Sequence, residues 1–493
     1  MRTPLLQKSP LCLPRESGDL QTIENKDSRL RGKRSFGTFR TFAAGLIFVI
    51  FIAISFLPAP LQARDKVLDI KEVTSPGGIK AWLVEDHSIP VISLEFAFNG
   101  AGAALDPAEK QGLSRIVSNT LDEGAGDLDS QTFQKELRDL SINLSFSSGR
   151  DNFDGHLKTL TRNKDRAFEL MRLALNEPRF DPEPVARMIA SNQSRIRSSL
   201  SDPDWMAVRL LNDMAFEGHP YAFNSGGTLS TLQSITSIDL ENFVKFRLGK
   251  NNVIVGVAGD ITPEQLGTAL DLMFGKLPNV ALQPPADLET QNQGKTALYN
   301  IDIPQTVIEM IQPGIKHTDP DFHMAQIMNF TLGGSGFGSR LMEEVREKRG
   351  LTYGVYSGLY HTYRFNGISV STSTANANVR QVLDIIKAEW KKMLETPVTQ
   401  TELDNAKSYL VGSLPLSLTS TDSIASTLLT IQADSLPIDY LDQREKAIKE
   451  AKIEDITRVA KRLLAPNKFV TVLVGKPENV TPTKTYEKLP NVE

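Results

Sequence analysis

The chain of 493 residues carries 40% hydrophobic and 23% charged side chains at a net charge of −4. One hydrophobic core does not serve that length, so about two to four domains are expected. Charges of both signs are interspersed, which gives no argument for nucleic acid or an anionic surface as partner and describes an ordinary solvated exterior.

Residues 1–63 differ in kind from the rest. Lys26, Arg29, Arg31, Lys33, Arg34 and Arg40 form a basic run, an apolar stretch follows from Phe42 to Leu57, and Pro58-Ala59-Pro60-Leu61-Gln62-Ala63 closes it. Basic, apolar and small residues in that order describe a secretory signal with Ala63 as the last residue before cleavage. The apolar stretch is slightly short for a ~30 Å hydrocarbon layer, and an uncleaved anchor is the alternative. Both readings place the chain from about Arg64 onward across a membrane, in the periplasm of a Gram-negative cell, with the membrane touched only through this segment. Cys12 is the only cysteine and precedes the apolar stretch. The exported part is therefore expected to lack disulfides, a thiol nucleophile and thiolate zinc ligands.

A strand pair comes next, Ile79–Val84 and Val91–Phe98, joined by the turn Glu85-Asp86-His87. Helical periods follow at 111–122, 131–140, 164–176 and 183–199, then a strand over Val253–Ala258. A Pro/Gln/Asn-rich stretch at 277–295 breaks the pattern and reads as a linker. Beyond it Thr306–Ile311 is again a strand before a long apolar helix, and Phe469–Gly475 echoes Val253–Gly256. Each echo follows a basic helix and an Asn. The predicted architecture is α+β in two similar halves, 66–276 and 296–485, each a mostly antiparallel sheet with helices packed on it.

The second half holds Gly333-Gly334-Ser335-Gly336-Phe337-Gly338, then a charged helix ending at Gly350, then an aromatic-rich strand. A phosphate cradle is disfavoured, because Phe322–Leu332 before it reads as a buried helix rather than a strand and no Lys-Ser/Thr follows. Glycines there let a backbone approach an extended peptide. The whole run to Tyr353 resembles the second-half signature of the pitrilysin/insulinase family of zinc peptidases, the inverzincins, whose Arg and Tyr have the spacing of Arg346 and Tyr353. The resemblance implies a clam-shell enclosing a peptide chamber. It implies that Arg346 and Tyr353 stabilise the substrate carbonyl, and that Gly333, Gly334, Gly336 and Gly338 line the peptide path. Without that context, Arg346 would simply pair with Glu343 or Glu347, and Tyr353 would pack in a strand.

The family's first half carries a zinc-binding His-x-x-Glu-His helix. Gly102–Pro107 and Gly112-Leu113 look like the approach to it, and Gly218-His219-Pro220-Tyr221 with Gly226-Gly227-Thr228 resembles a later family segment. Aligned on Gly112-Leu113, the three positions are Arg115, Ser118 and Asn119. Leu113, Ile116, Val117 and Leu121 keep an apolar face, and Arg115, Ser118, Asn119 and Asp122 fall opposite. A permanent cation and two poor neutral donors do not bind zinc. The third ligand position, expected near Ala186-Arg187-Met188, lacks a carboxylate, with Glu183 the nearest acid. The six histidines form no i, i+4 pair, and each reads as a surface or structural residue. No metal is expected in this chain. The resemblance then implies the non-metal subunit of a heterodimeric peptidase, with zinc in a homologous sister and unfolded polypeptide as substrate. The alternative is a catalytically inactive peptide-binding or scaffolding protein.

Overall fold

The computed structural model describes residues 66–493, so the export segment read at 1–63 lies outside the described residues. Leu68–Glu493 forms one unit built on two six-stranded sheets. The first contains β1 (Lys71–Thr74), β2 (Lys80–Glu85), β3 (Val91–Phe98), β6 (Asn143–Ser148), β7 (Phe153–Leu160) and β8 (Val253–Gly259); β4 (Gly124–Ala125) and β5 (Leu128–Asp129) form a separate hairpin. The second contains β9 (Thr296–Asn300), β10 (Gln305–Pro313), β11 (Val355–His361), β12 (Asn366–Ala375), β13 (Val470–Gly475) and β14 (Lys484–Tyr486).

Strand orders β1-β2-β8-β3-β7-β6 and β14-β9-β13-β10-β12-β11 superpose term by term. In both sheets the central long strand is antiparallel to its two neighbours, and β2 with β8, like β9 with β13, run parallel. Only the outermost strand differs: β1 precedes its sheet in the chain, whereas β14 comes from the far end and pairs parallel with β9. The fold is thus α+β in two copies.

Edge strand β6 alternates exposed and buried residues, as expected for a strand with one covered face. Central strands β3, β8 and β13 are buried almost continuously, which requires cover on both faces. One cover is local: Ile116, Val117, Phe133, Met171, Leu270 and Phe274 pack beneath the first sheet. The other is exchanged between halves. Helix Pro203–Ala215 of the first half lays Met206, Leu210, Leu211 and Met214 on Val307, Ile311, Val470, Val472 and Val474 of the second sheet. The equivalent helix of the second half, Thr421–Ala433, crosses β3 and β8 of the first sheet. A Cβ on Gly256 of β8 would stand 2.4 Å from the Ala425 carbonyl oxygen, so only glycine admits the helix at that distance. Thr421 Oγ1 lies 2.7 Å from Ser93 Oγ, and Gln432 Nε2 donates to the Val255 carbonyl (2.9 Å), fixing both ends of the crossing.

Residues 277–295 contain no helix or strand before β9, yet they are pinned. Leu288 N donates to Arg364 O, Gln291 N to Ala215 O and Gly294 N to Phe469 O. The helical period expected at 111–122 is shorter in the structure, Leu113–Ser118. Gly112 sits at φ +89, outside the helical region, and the chain turns after Asn119.

Candidate functional site

The glycine-rich segment is built from irregular helix. Helix Phe322–Asn329 widens into a π turn at Phe330–Gly334, tightens to a 3₁₀ turn at Gly336–Gly338, and widens again at Met342–Glu347. Such π turns rotate side chains off the regular helical faces and recur at functional positions. Here Lys348 N bonds to Glu343 O (2.9 Å), and Gly350, at φ +60, ends the helix. Leu341, Met342 and Val345 anchor the turn in the core. Arg340 forks onto both oxygens of Glu402 (2.7 and 2.9 Å). Burial works to raise the Glu402 carboxyl, but the bonds from Arg340 and Thr399 outweigh it and hold it down at about 2.

Arg346 projects from the widened turn between two aromatic rings, 4.4 Å from the Phe337 centroid and 5.5 Å from that of Tyr353. Its Nη1 lies 3.2 Å from Glu347 Oε1 but without hydrogen-bond alignment, and this buried donor has no hydrogen-bond acceptor among the described residues. Tyr353 is 86% exposed and precedes β11 rather than packing within it, and Phe337 is 71% exposed. The structure therefore brings Arg346 and Tyr353 together and adds Phe337, which sequence reasoning passed over. A lone aromatic among glycines was the available signal.

The four glycines separate into two kinds. Gly333 is buried, and a Cβ there would stand 2.5 Å from Ser357 Oγ and 2.8 Å from Ser357 N, so it serves the packing of the turn on β11 and does not face a peptide path. Gly334 and Gly338 are exposed, and Gly336 holds φ +64 with nothing near its missing side chain.

In the first half, helix Leu113–Ser118 begins where Gly112 meets Gly227 so closely that a Cβ on Gly112 would stand 2.7 Å from the Gly227 Cα. Ile116, Val117 and Leu121 are fully buried beneath it. On the opposite face, burial and the neighbouring Arg195 both work against the charge of Arg115. Ser118 Oγ donates back to Arg115 O (2.9 Å), and Asn119 Oδ1 accepts from Asn192 Nδ2 (2.9 Å). Asn192, not the 186–188 stretch, stands opposite the helix. Arg187 instead pairs with Glu123 (2.8 Å), because a position along an 18-residue helix is set by where that helix crosses its neighbour. Asp122, the adjoining carboxylate, is pushed up to about 6 by burial and accepts from Gln134 (3.1 Å). A guanidinium, a hydroxyl and two paired amides do not fit zinc.

Two histidines do converge elsewhere, on Asp434. His317 Nδ1 lies 2.6 Å from Asp434 Oδ2, and His361 Nε2 lies 3.0 Å from Oδ1.

The sequence description "peptidase M16 inactive domain" matches residues 234–410. The chain is similar to the non-peptidase homolog YmxG of Helicobacter pylori, 28% identical over 79% of this chain and 90% of that protein. It resembles the zinc protease YmxG of Bacillus subtilis at 22% identity over 72% of this chain and 86% of that protein. The crystal structure of a peptidase M16 inactive domain from Pseudomonas fluorescens superposes with a TM-score of 0.78 at 26% identity, covering 84% of this chain and all of that one. Over residues 234–410 and, in fold, along most of its described length, the chain resembles members of the peptidase M16 family. The likeness is to an M16 protein without the zinc site, since Arg115, Ser118 and Asn119 supply no donor set and the matched description is of an inactive domain. Both observations fit a chain with no catalytic metal.

Proposed function

We propose that this chain is the non-metal subunit of an exported zinc peptidase, contributing carbonyl stabilisation and peptide binding to a zinc-bearing homologous sister. The observation that carries the reading is the buried Nη1 of Arg346, ion-paired with Glu347 but with no hydrogen-bond acceptor among the described residues, held between Phe337 and Tyr353. Hydrolysis of a peptide bond develops negative charge on the carbonyl oxygen. A guanidinium and a phenol placed there both donate, and each such donor is commonly worth about 3–4 kcal/mol. Gly334 and Gly338 are exposed and half-buried Gly336 has nothing near its missing side chain, which leaves room beside this pair for an extended chain. Zinc and the general base belong to the sister, because helix Leu113–Ser118 holds neither. The basic and apolar segment before Ala63 supports a periplasmic site of action, with the membrane reached only through that segment.

Mixing the chain with its sister should switch on cleavage of unfolded peptides. Arg346→Ala and Tyr353→Phe should each lower turnover ~10²-fold or more while assembly persists, and Arg115→Ala should change little. Full activity in both site variants would refute the half-site. A second reading, a catalytically inactive peptide-binding or scaffolding protein, is favoured by the 86% exposure of Tyr353, which leaves its hydroxyl free to grip a bound chain without chemistry. A sister that cleaves equally fast alone would establish it.

A further inference from the structure

Asp434 caps the exchanged helix Thr421–Ala433, His317 lies in the turn after β10, and His361 ends β11. All three are inside the second half and outside the helix Leu113–Ser118. Their side chains are largely enclosed, at 10%, 5% and 27% exposure, and the three candidate ligand atoms lie within 4.8 Å of one another.

The outer nitrogen of each ring is also held. His317 Nε2 is 2.7 Å from the Tyr440 hydroxyl, and His361 Nδ1 is 2.6 Å from Asn366 Oδ1. An amide oxygen can only accept, so Nδ1 of His361 carries hydrogen. Nε2 of His361 then faces an oxygen of Asp434 at 3.0 Å, a position filled either by a proton on the ring or by a metal ion between the two atoms. Imidazole nitrogens whose far side is fixed by a hydrogen bond, combined with one carboxylate, form the donor set of zinc-like divalent ions. Zinc–nitrogen and zinc–oxygen distances of about 2.0–2.2 Å need only a modest parting of His317 from Asp434. The remaining exposure of His361 leaves an approach for a water as fourth ligand.

We propose that His317, His361 and Asp434 form a structural site for a divalent transition-metal ion of the zinc class, which clips the end of the exchanged helix to its own half. The site has no part in peptide hydrolysis. It joins three segments far apart in sequence at the point where the helix leaves the first sheet.

The test uses the full chain, stripped with chelator and titrated with Co²⁺. A visible ligand-field band should saturate at one ion per chain, and Zn²⁺ should displace it. Zn²⁺ should also raise the melting temperature by about 2 °C or more, as expected for a ligand confined to the folded state. His361→Gln, at the most exposed of the three positions, keeps a hydrogen bond available to Asp434 and should abolish the band in a chain that still folds. His317→Gln should do the same, and Arg115→Ala should leave the band intact. A titration without a band, or a band retained in both glutamine variants, shows a hydrogen-bonded triad only and overturns the proposal.

Discussion

Gly256→Ala adds a single methyl group to β8, and its effect separates two pictures of this fold. Were the outer face of the first sheet open, the substitution would stabilise. Replacing glycine by alanine in a strand would then stabilise by about 0.4–1 kcal/mol, through the lower entropy of the unfolded chain. With helix Thr421–Ala433 in place, the new Cβ stands 2.4 Å from the Ala425 carbonyl oxygen, 2.9 Å from the Leu428 Cβ and 2.9 Å from the Leu429 nitrogen. All three belong to the helix backbone or its first side-chain atom, so no rotamer change relieves them. The helix must lift by about 1 Å, which strips contact from Ala425 and Leu428, both fully buried. Overpacking of this kind costs about 1–3 kcal/mol, enough to reverse the sign. Urea unfolding should show a lower midpoint with an unchanged slope, and limited proteolysis should cut sooner around residues 416–434. A variant as stable as the parent, or more so, would refute the crossing of the helix over β8.

Leu210→Ala, on the buried face of the other exchanged helix, should cost about 2–5 kcal/mol by leaving a cavity against the second sheet, measured by the same denaturation. Asp154 on β7 is pushed up to about 7, by burial first and by the Glu95 carboxylate second. The folded chain therefore binds more protons than the unfolded one between pH 3.8 and about 7, and this group's contribution to stability falls as the pH rises through that window. Asp154→Asn should remove the loss, so the melting temperature of the variant should gain on the parent's between pH 5 and pH 8. A constant difference across that range would refute the shift.

The duplicated α+β plan was legible because strands such as Val253–Gly259 and Phe469–Gly475 repeat a hydrophobic pattern that local chemistry dictates. The unfitness for zinc was legible at Arg115, Ser118 and Asn119 for a simpler reason: donor chemistry is a property of the residue itself. Partners across space were not. Periodicity in Pro203–Ala215 shows that Leu210 and Met214 share a buried face, but cannot say which sheet that face meets. Asn192 was missed because its place depends on the crossing of two helices. The His317 and His361 side chains reach Asp434 across 117 and 73 positions, a convergence that only the assembled fold produces. Gly333 shows the converse error: a glycine read as an opening for peptide is a glycine because Ser357 leaves no room.

The exchange of helices also sets an order on biosynthesis. When the ribosome has completed β8, the first sheet has all its strands, yet the cover for β3 and β8 is some 160 positions from being made (Gly259 against Thr421). Until then the nascent first half has its own core but presents a bare sheet face and a helix without its sheet. A fragment ending at the 277–295 segment should therefore expose apolar surface at that sheet face and on helix Pro203–Ala215, and aggregate more readily than the whole chain.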